Sequence, residues 1–168
     1  MSHKIKVMRA NPDMDSQDIA RLIKICREER RTVIDYFTVE EEREYLKNLH
    51  PKDSVFVARI DGVEFAGFAS VSRRWPYSKR LQHCGEVGTY VMPAFRRRGV
   101  GSALWQIGVF PWCRIHGFKH LGFFIVADNR ESIAFYESLG FRVCGYHRRV
   151  VNWEGDFLDA IEMELWLE

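Results

Sequence analysis

Residues 90–104 read Tyr-Val-Met-Pro-Ala-Phe-Arg-Arg-Arg-Gly-Val-Gly-Ser-Ala-Leu, and they narrow the fold and chemistry of this chain more than any other stretch. β-type residues run up to Pro93. Three consecutive arginines and two glycines follow, and then apolar residues suited to a helix. A helix that starts this way has first-turn N–H groups without internal partners, and its dipole favours negative charge there. Glycine lets a ligand approach the backbone, and guanidinium groups match the oxygens of a phosphate or diphosphate. The segment therefore predicts an anion cradle at Arg96, Arg97, Arg98, Gly99, Val100, Gly101 and Ser102. Arg96 and Arg98 are expected as side-chain contacts, Arg97 toward solvent, and Gly99, Gly101 and Ser102 as amide donors. The plainer alternative is a solvated basic turn that merely starts a helix. Neither G-x-x-x-x-G-K-[ST] nor G-x-G-x-x-G spacing is present.

The surrounding pattern predicts a sheet. Residues 4–9 alternate polar with apolar, as in a strand. Asn11-Pro12-Asp13 breaks it, and Asp15 or Ser16 is placed to cap a helix carrying Ile19, Leu22, Ile23 and Cys26. Residues 27–31 read as its solvated end. Thr38 and Glu41 form a capping box for a second helix with Tyr45, Leu46 and Leu49. Residues 55–60 and 64–71 flank Asp61-Gly62 and predict a β-hairpin. Residues 86–91 form a strand, and residues 99–116 a helix expected to bend at Gly108 and Pro111. Residues 121–126 suit a buried strand, and residues 129–139 a helix stopped by Gly140. Two closing strands, 141–151 and 157–167, are joined through Asn152-Trp153-Glu154-Gly155. This order predicts a single domain, residues 1–168, of the α/β (α+β) class, with helices on the faces of a mixed sheet.

Charge and cysteine usage narrow the partners. The formal net charge is +2, less basic than expected of a protein that binds nucleic acid through its phosphates. Cys26, Cys84, Cys113 and Cys144 form no CxxC pair, and the six histidines form no ligand constellation, so no metal site is expected. Scattered cysteines in a chain of this size read as buried thiols in a reducing compartment. The start Met1-Ser2-His3-Lys4-Ile5 lacks a leader-like apolar stretch, and no apolar run approaches a membrane span. The expected location is cytoplasmic.

Two motifs carry a resemblance to a known family. Arg96-Arg97-Arg98-Gly99-Val100-Gly101 resembles R/Q-x-x-G-x-G/A, the acyl-CoA diphosphate motif of the GNAT N-acetyltransferase superfamily. Residues 129–141, Asn-Arg-Glu-Ser-Ile-Ala-Phe-Tyr-Glu-Ser-Leu-Gly-Phe, are similar to that family's N-x-x-(A/S)-x-x-x-Y-E-x-x-G-F segment. Residues 86–91 and 153–159 look like the branch acting on amino acids and phosphinothricin-type analogues. The resemblance implies a mostly antiparallel seven-stranded sheet flanked by about four helices. It also implies acetyl-CoA as cosubstrate and a homodimer as one compatible assembly.

The resemblance also distributes roles. Glu86 is implied as the base that deprotonates the acceptor ammonium; otherwise it is a strand carboxylate paired with Arg73 or Arg74. Tyr136 is implied as the acid for the departing thiolate; the spacing of Ile133, Tyr136 and Leu139 alone would make it core. The Val91 amide is implied as donor to the thioester oxygen. Asn129 is implied as a pantetheine contact, a role compatible with capping a helix. Tyr90, Ser132 and Tyr136 complete the donor-binding set. On the acceptor side, residues 31–37 and the loop 73–77 are expected to flank a pocket, with Tyr36, Phe37, Trp75 and Tyr77 placed to wall it. Arg73, Arg74, His147, Arg148 and Arg149 are placed to bind an acceptor carboxylate. The activity implied is acetylation of a small-molecule primary amine, an amino acid or analogue, without nucleic acid or membrane. The rivals are a protein N-terminal or lysine acetyltransferase and a non-catalytic acyl-CoA-binding module.

Overall fold

A computed structural model describes residues 4–168; Met1, Ser2 and His3, part of the stretch lacking a leader-like pattern, lie outside it. The chain runs β1 (Ile5–Arg9), α1 (Pro12–Glu28), α2 (Val39–Lys47), β2 (Ser54–Ile60), β3 (Glu64–Arg73) and β4 (Cys84–Val91). It continues through α3 (residues 100–116), β5 (His120–Val126), α4 (Arg130–Ser138), β6 (Arg142–Trp153) and β7 (Asp156–Trp166). One seven-stranded sheet has the order β1-β2-β3-β4-β5-β7-β6, antiparallel throughout except for β4 and β5. The predicted class and element count both hold.

Local chemistry sets the element ends. Helix α1 begins earlier than the sequence suggested: Asn11, not Asp15 or Ser16, is its cap, accepting from the N–H groups of Asp13 and Met14. Pro12 fits the first turn because its missing N–H would have no helical partner there. Asp15 is instead buried in an ion pair with Arg59 on β2. Helix α2 carries the expected capping box, with Glu41 returning to the Thr38 N–H. The β2–β3 turn needs positive φ at Asp61 and Gly62, 50° and 78°, which suits aspartate and glycine.

Helix α3 runs on through Gly108 and Pro111, but its α-helical ladder is interrupted around Ile107, where the sequence predicts weakening. Val100–Ala103 and Phe110–His116 are α-helical, and Leu104–Val109 between them widens into a π turn. The wider turn accommodates the proline, which has no N–H to give to the ladder. Gly108 is needed for another reason: a Cβ there would lie 2.7 Å from the Phe56 ring on β2.

Apolar side chains fill both faces of the sheet. One cluster joins Trp105 and Val109 of α3 and Tyr136 of α4 to Val87, Phe123 and Met163. The other packs Ile19, Leu22 and Ile23 of α1 and Leu46 of α2 against Val57 and Phe68. Of the four cysteines, Cys26, Cys84 and Cys113 are buried as expected, whereas Cys144 on β6 is exposed. No helix among the described residues is long and apolar enough to cross a membrane.

Gly108→Ala is expected to destabilise the fold by about 1–3 kcal/mol, because the blocking atoms belong to the root of a buried Phe56 ring. Urea unfolding checks this, and Phe56→Leu in the same chain should recover part of the loss.

Candidate active site

Strands β4 and β5 pair over only three rungs, Cys84 with His120, Gly85 with Leu121 and Glu86 with Gly122, and then part. Beyond that point β4 still pairs with β3 and β5 with β7. The facing edges of residues 87–91 and 123–126 are left without each other. Met92 N–H donates to Ala66 O at 2.9 Å. Strand alternation therefore turns the Val91 N–H and C=O away from β3, toward the opening. Two cavities meet in this gap, sharing Arg31, Thr89, Tyr90, Ser132 and Tyr136.

The first cavity, about 440 Å³, lies between the start of α3 and helix α4. Its walls include Val91, Phe95, Arg96, Arg97, Gly99, Val100, Gly101, Ser102 and Phe135. Gly99 precedes α3 at φ 80°, and no side chain caps that helix end. The first-turn amides therefore face the cleft without a helical acceptor. Arg97 also adopts positive φ, 63°, which a side chain rarely takes. Gly101 is required by packing against α4, since a Cβ would stand 2.9 Å from the Phe135 ring.

At the vertex of the split sits a buried cation. The Arg74 side chain, 4% exposed, lies 3.6 Å from Glu86 Oε2 and donates to Glu162 on β7. It occupies a slot over Gly122, where a Cβ would come within 2.2 Å of Nη1. Trp75 and Phe124 stack on the guanidinium at 4.7 and 5.6 Å. Burial pushes the Glu86 carboxyl above the usual range; Arg74 opposes that shift, and the Glu162 charge adds to it. The half-buried Glu86 is one wall of the second cavity, about 310 Å³.

Tyr136 spans the gap. Its ring packs against Phe123 on β5 at 4.1 Å, and its hydroxyl donates to Thr89 Oγ1 on β4 at 3.0 Å. Thr89 Oγ1 also accepts from Trp105 Nε1 at 2.8 Å. With both acceptor positions filled, the Thr89 hydrogen is directed away from these partners, at a residue that lines both cavities. Burial holds the Tyr136 hydroxyl well above its ordinary pKa. The same effect pushes Tyr90, hydrogen-bonded to Thr32 at 3.1 Å, up to about 12.

Residues 17–141 match the model of the acetyltransferase (GNAT) family. The chain belongs to the GNAT family. It is 36% identical over 96 residues, 57% of its length, to mycothiol acetyltransferase of Corynebacterium glutamicum strain R; it spans 31% of that relative. The ribosomal-protein-alanine N-acetyltransferase of Brucella melitensis is similar over 96% of this chain and 99% of its own, at TM-score 0.85 and 25% identity. Two further structures share the fold. A candidate phosphinothricin N-acetyltransferase covers 98% and is covered over 99%, at TM-score 0.87 and 21% identity. A candidate acetyltransferase of Salmonella typhimurium with its cofactor acetyl-CoA covers 98% and is covered over 94%, at TM-score 0.86 and 22% identity.

Within this GNAT fold the predicted residues fall into three groups. Glu86, Tyr90, Val91, Arg96, Arg97, Gly99, Val100, Gly101, Ser102, Ser132 and Tyr136 converge on the two joined cavities. Of the arginines, Arg96 and Arg97 line the cleft, Arg96 donating to Val91 O and pairing with Glu29, while Arg98 lies over the Phe95 ring and is not among the cleft's walls. Asn129 caps α4 through Ser132 N–H and reaches Arg31 O, with no wall of either cavity. Third, the acceptor-side set lies elsewhere. Tyr36, Phe37 and Tyr77 are exposed away from the cavity. Arg73 is held by Asp53, and Trp75 borders a separate hollow with His50 and Lys52. The second cavity is walled by Thr32, Val33 and Ile34, within the expected flanking segment 31–37, together with Tyr45 and Phe124.

Sequence reasoning missed Thr89 and Phe124, whereas the expected pairing of Glu86 with Arg74 is present. The period-two alternation of residues 86–91 is the available signal for Thr89. Among the described residues, no cluster of three or more His, Cys, Asp and Glu is placed to hold a metal ion.

Gly99→Val meets open space but must hold φ 80°, a strain of about 1–2 kcal/mol for an L-residue. Titration calorimetry with CoA is expected to show affinity about 5- to 30-fold weaker, as the loop gives up φ 80° to relieve the strain, and the urea midpoint should fall by no more than that strain.

Proposed function

We propose that the protein transfers the acetyl group of acetyl-CoA to the primary amine of a small molecule, by direct attack while both are bound. The observation that carries this reading is the junction of two cavities at Thr89 and Tyr136, with Glu86 on the acceptor side and an uncapped helix start on the other. Bound acetyl-CoA would supply the activated acetyl group.

The chain's own groups account for the remaining steps. The amides of residues 100–102 and the Arg97 side chain bind the diphosphate. Val91 N–H faces the opening and stabilises the negative charge that develops on the thioester oxygen. Glu86 takes a proton from the acceptor ammonium, and the freed nitrogen attacks the carbonyl carbon. As the C–S bond breaks, the Thr89 hydroxyl donates a proton to the thiolate and is resupplied by Tyr136; the second proton of the attacking nitrogen leaves to solvent as the amide forms, and Tyr136 regains its proton from solvent. The raised Tyr136 pKa keeps that proton in place near neutral pH. No cysteine lines the acceptor cavity, which supports direct attack over a covalent acyl-enzyme.

A small acceptor is favoured over a protein by the limited volume of the second cavity, about 310 Å³. An open groove would suit a peptide better.

Glu86→Gln is expected to lower kcat by about 10²–10⁴ while CoA affinity stays within about 2-fold; thiol release and CoA titration check the two halves. Glu86 serves as base only when ionised, so kcat/KM should fall as pH drops through its raised pKa. Glu162→Gln removes a charge that raises this pKa and should move the acidic limb to lower pH. Arg74→Met removes the opposing charge and should move it higher. A limb unmoved by both would remove Glu86 from the rate-limiting proton transfer.

A further inference from the structure

The acceptor cavity joins one carboxylate to an unusual amount of exposed apolar surface. Val33, Ile34, Tyr45 and Phe124 are 40–49% exposed, and all four face the same space. Large apolar side chains brought together in a concave site mark a binding surface. Glu86 stands on the same wall, opposite Ser72 in the β3–β4 register, with Ser70 opposite Gly88. A carboxylate flanked by hydroxyl groups suits an ammonium, which has three donors to satisfy.

A cation for the far end of an amino acid is missing. Arg31 is the sole cation on this wall among the described residues, and it already pairs with Glu131 at 2.7 Å and Glu29 at 3.6 Å. Arg74 is enclosed between Glu86 and Glu162. His147 lies 3.6 Å from Glu162, and Arg149 stacks on Phe157, neither on the cavity wall. An acceptor carboxylate would thus lose its water, meet no free donor cation and face the Glu86 charge.

We infer that the acceptor is a primary amine carried on an apolar body with no carboxylate beside the amine, rather than a free amino acid. This rests on the reading of the second cavity as the acceptor site. The ammonium sits at Glu86 between Ser70 and Ser72, and the apolar body lies against Ile34, Tyr45 and Phe124.

The test compares 2-phenylethylamine, phenylalaninamide, phenylalanine and a peptide beginning with phenylalanine on the full chain. Two readouts are used: calorimetric binding in the presence of CoA, and thiol release from acetyl-CoA expressed per unprotonated amine. The amine and the amide should exceed phenylalanine by about 10-fold or more in both, the discrimination expected when a polar group is left unpaired. Ile34→Arg, on an exposed loop position, should raise the phenylalanine-to-phenylethylamine ratio about 10-fold. Phenylalanine equal to or better than the amine, a preferred peptide, or no binding by any compound would each overturn the inference. Binding in the expected order without thiol release would keep the specificity and overturn the catalytic reading.

Discussion

The parting of β4 from β5 after three rungs is the constraint from which the rest of the site follows. A parallel pair that continued would satisfy the backbone of both strands and leave no gap. Here each strand keeps its outer neighbour, and the inner edges of residues 87–91 and 123–126 are left facing each other across a space. Buried backbone groups without partners are costly, so such an opening persists where something holds it apart and something else can fill it. Tyr136 holds it: the ring rests on β5 and the hydroxyl on β4. The same residue is thus both a core strut and a wall of the reaction space, and the two readings of its helical spacing are compatible.

Electrostatics at the vertex follow from that geometry. The last rung pairs Glu86 with Gly122, and the missing side chain of Gly122 makes room for the Arg74 guanidinium. A cation buried this deeply must be compensated, and Glu86 and Glu162 do so from β4 and β7. Glu86 therefore feels a desolvating wall, a nearby cation and a second carboxylate at once. Its basicity is a property of the cluster, set by three strands brought to one point.

Much of this was legible in the sequence because it is local. The capping box of Thr38 and Glu41, the Asp61-Gly62 turn and the Gly99 start of α3 are encoded within a few residues, and the structure repeats them. What was hidden depends on residues distant along the chain. Glu29, 67 residues from Arg96, ties that arginine to helix α1 at the edge of the cleft, a pairing no local motif encodes. The second cavity joins residues 32–34, inside the segment expected to flank a pocket, to Tyr45 and Phe124, which no motif marks. Arg73 is expected from the sequence at an acceptor carboxylate or beside Glu86, but Asp53 takes it across the β2–β3 pair. The departure from α geometry expected around Gly108 and Pro111 takes the form of a π turn that ends two residues before Pro111, at Val109.

A crystal structure with CoA bound tests the central claim most directly. The account predicts that the diphosphate rests on the amides of residues 100–102 beside Arg97. The pantetheine arm should run along the free edge of β4 at Val91, and the sulfur should end within hydrogen-bonding reach of Thr89. A donor seated elsewhere, or β4 and β5 paired continuously through residues 87–91 in the complex, would contradict it.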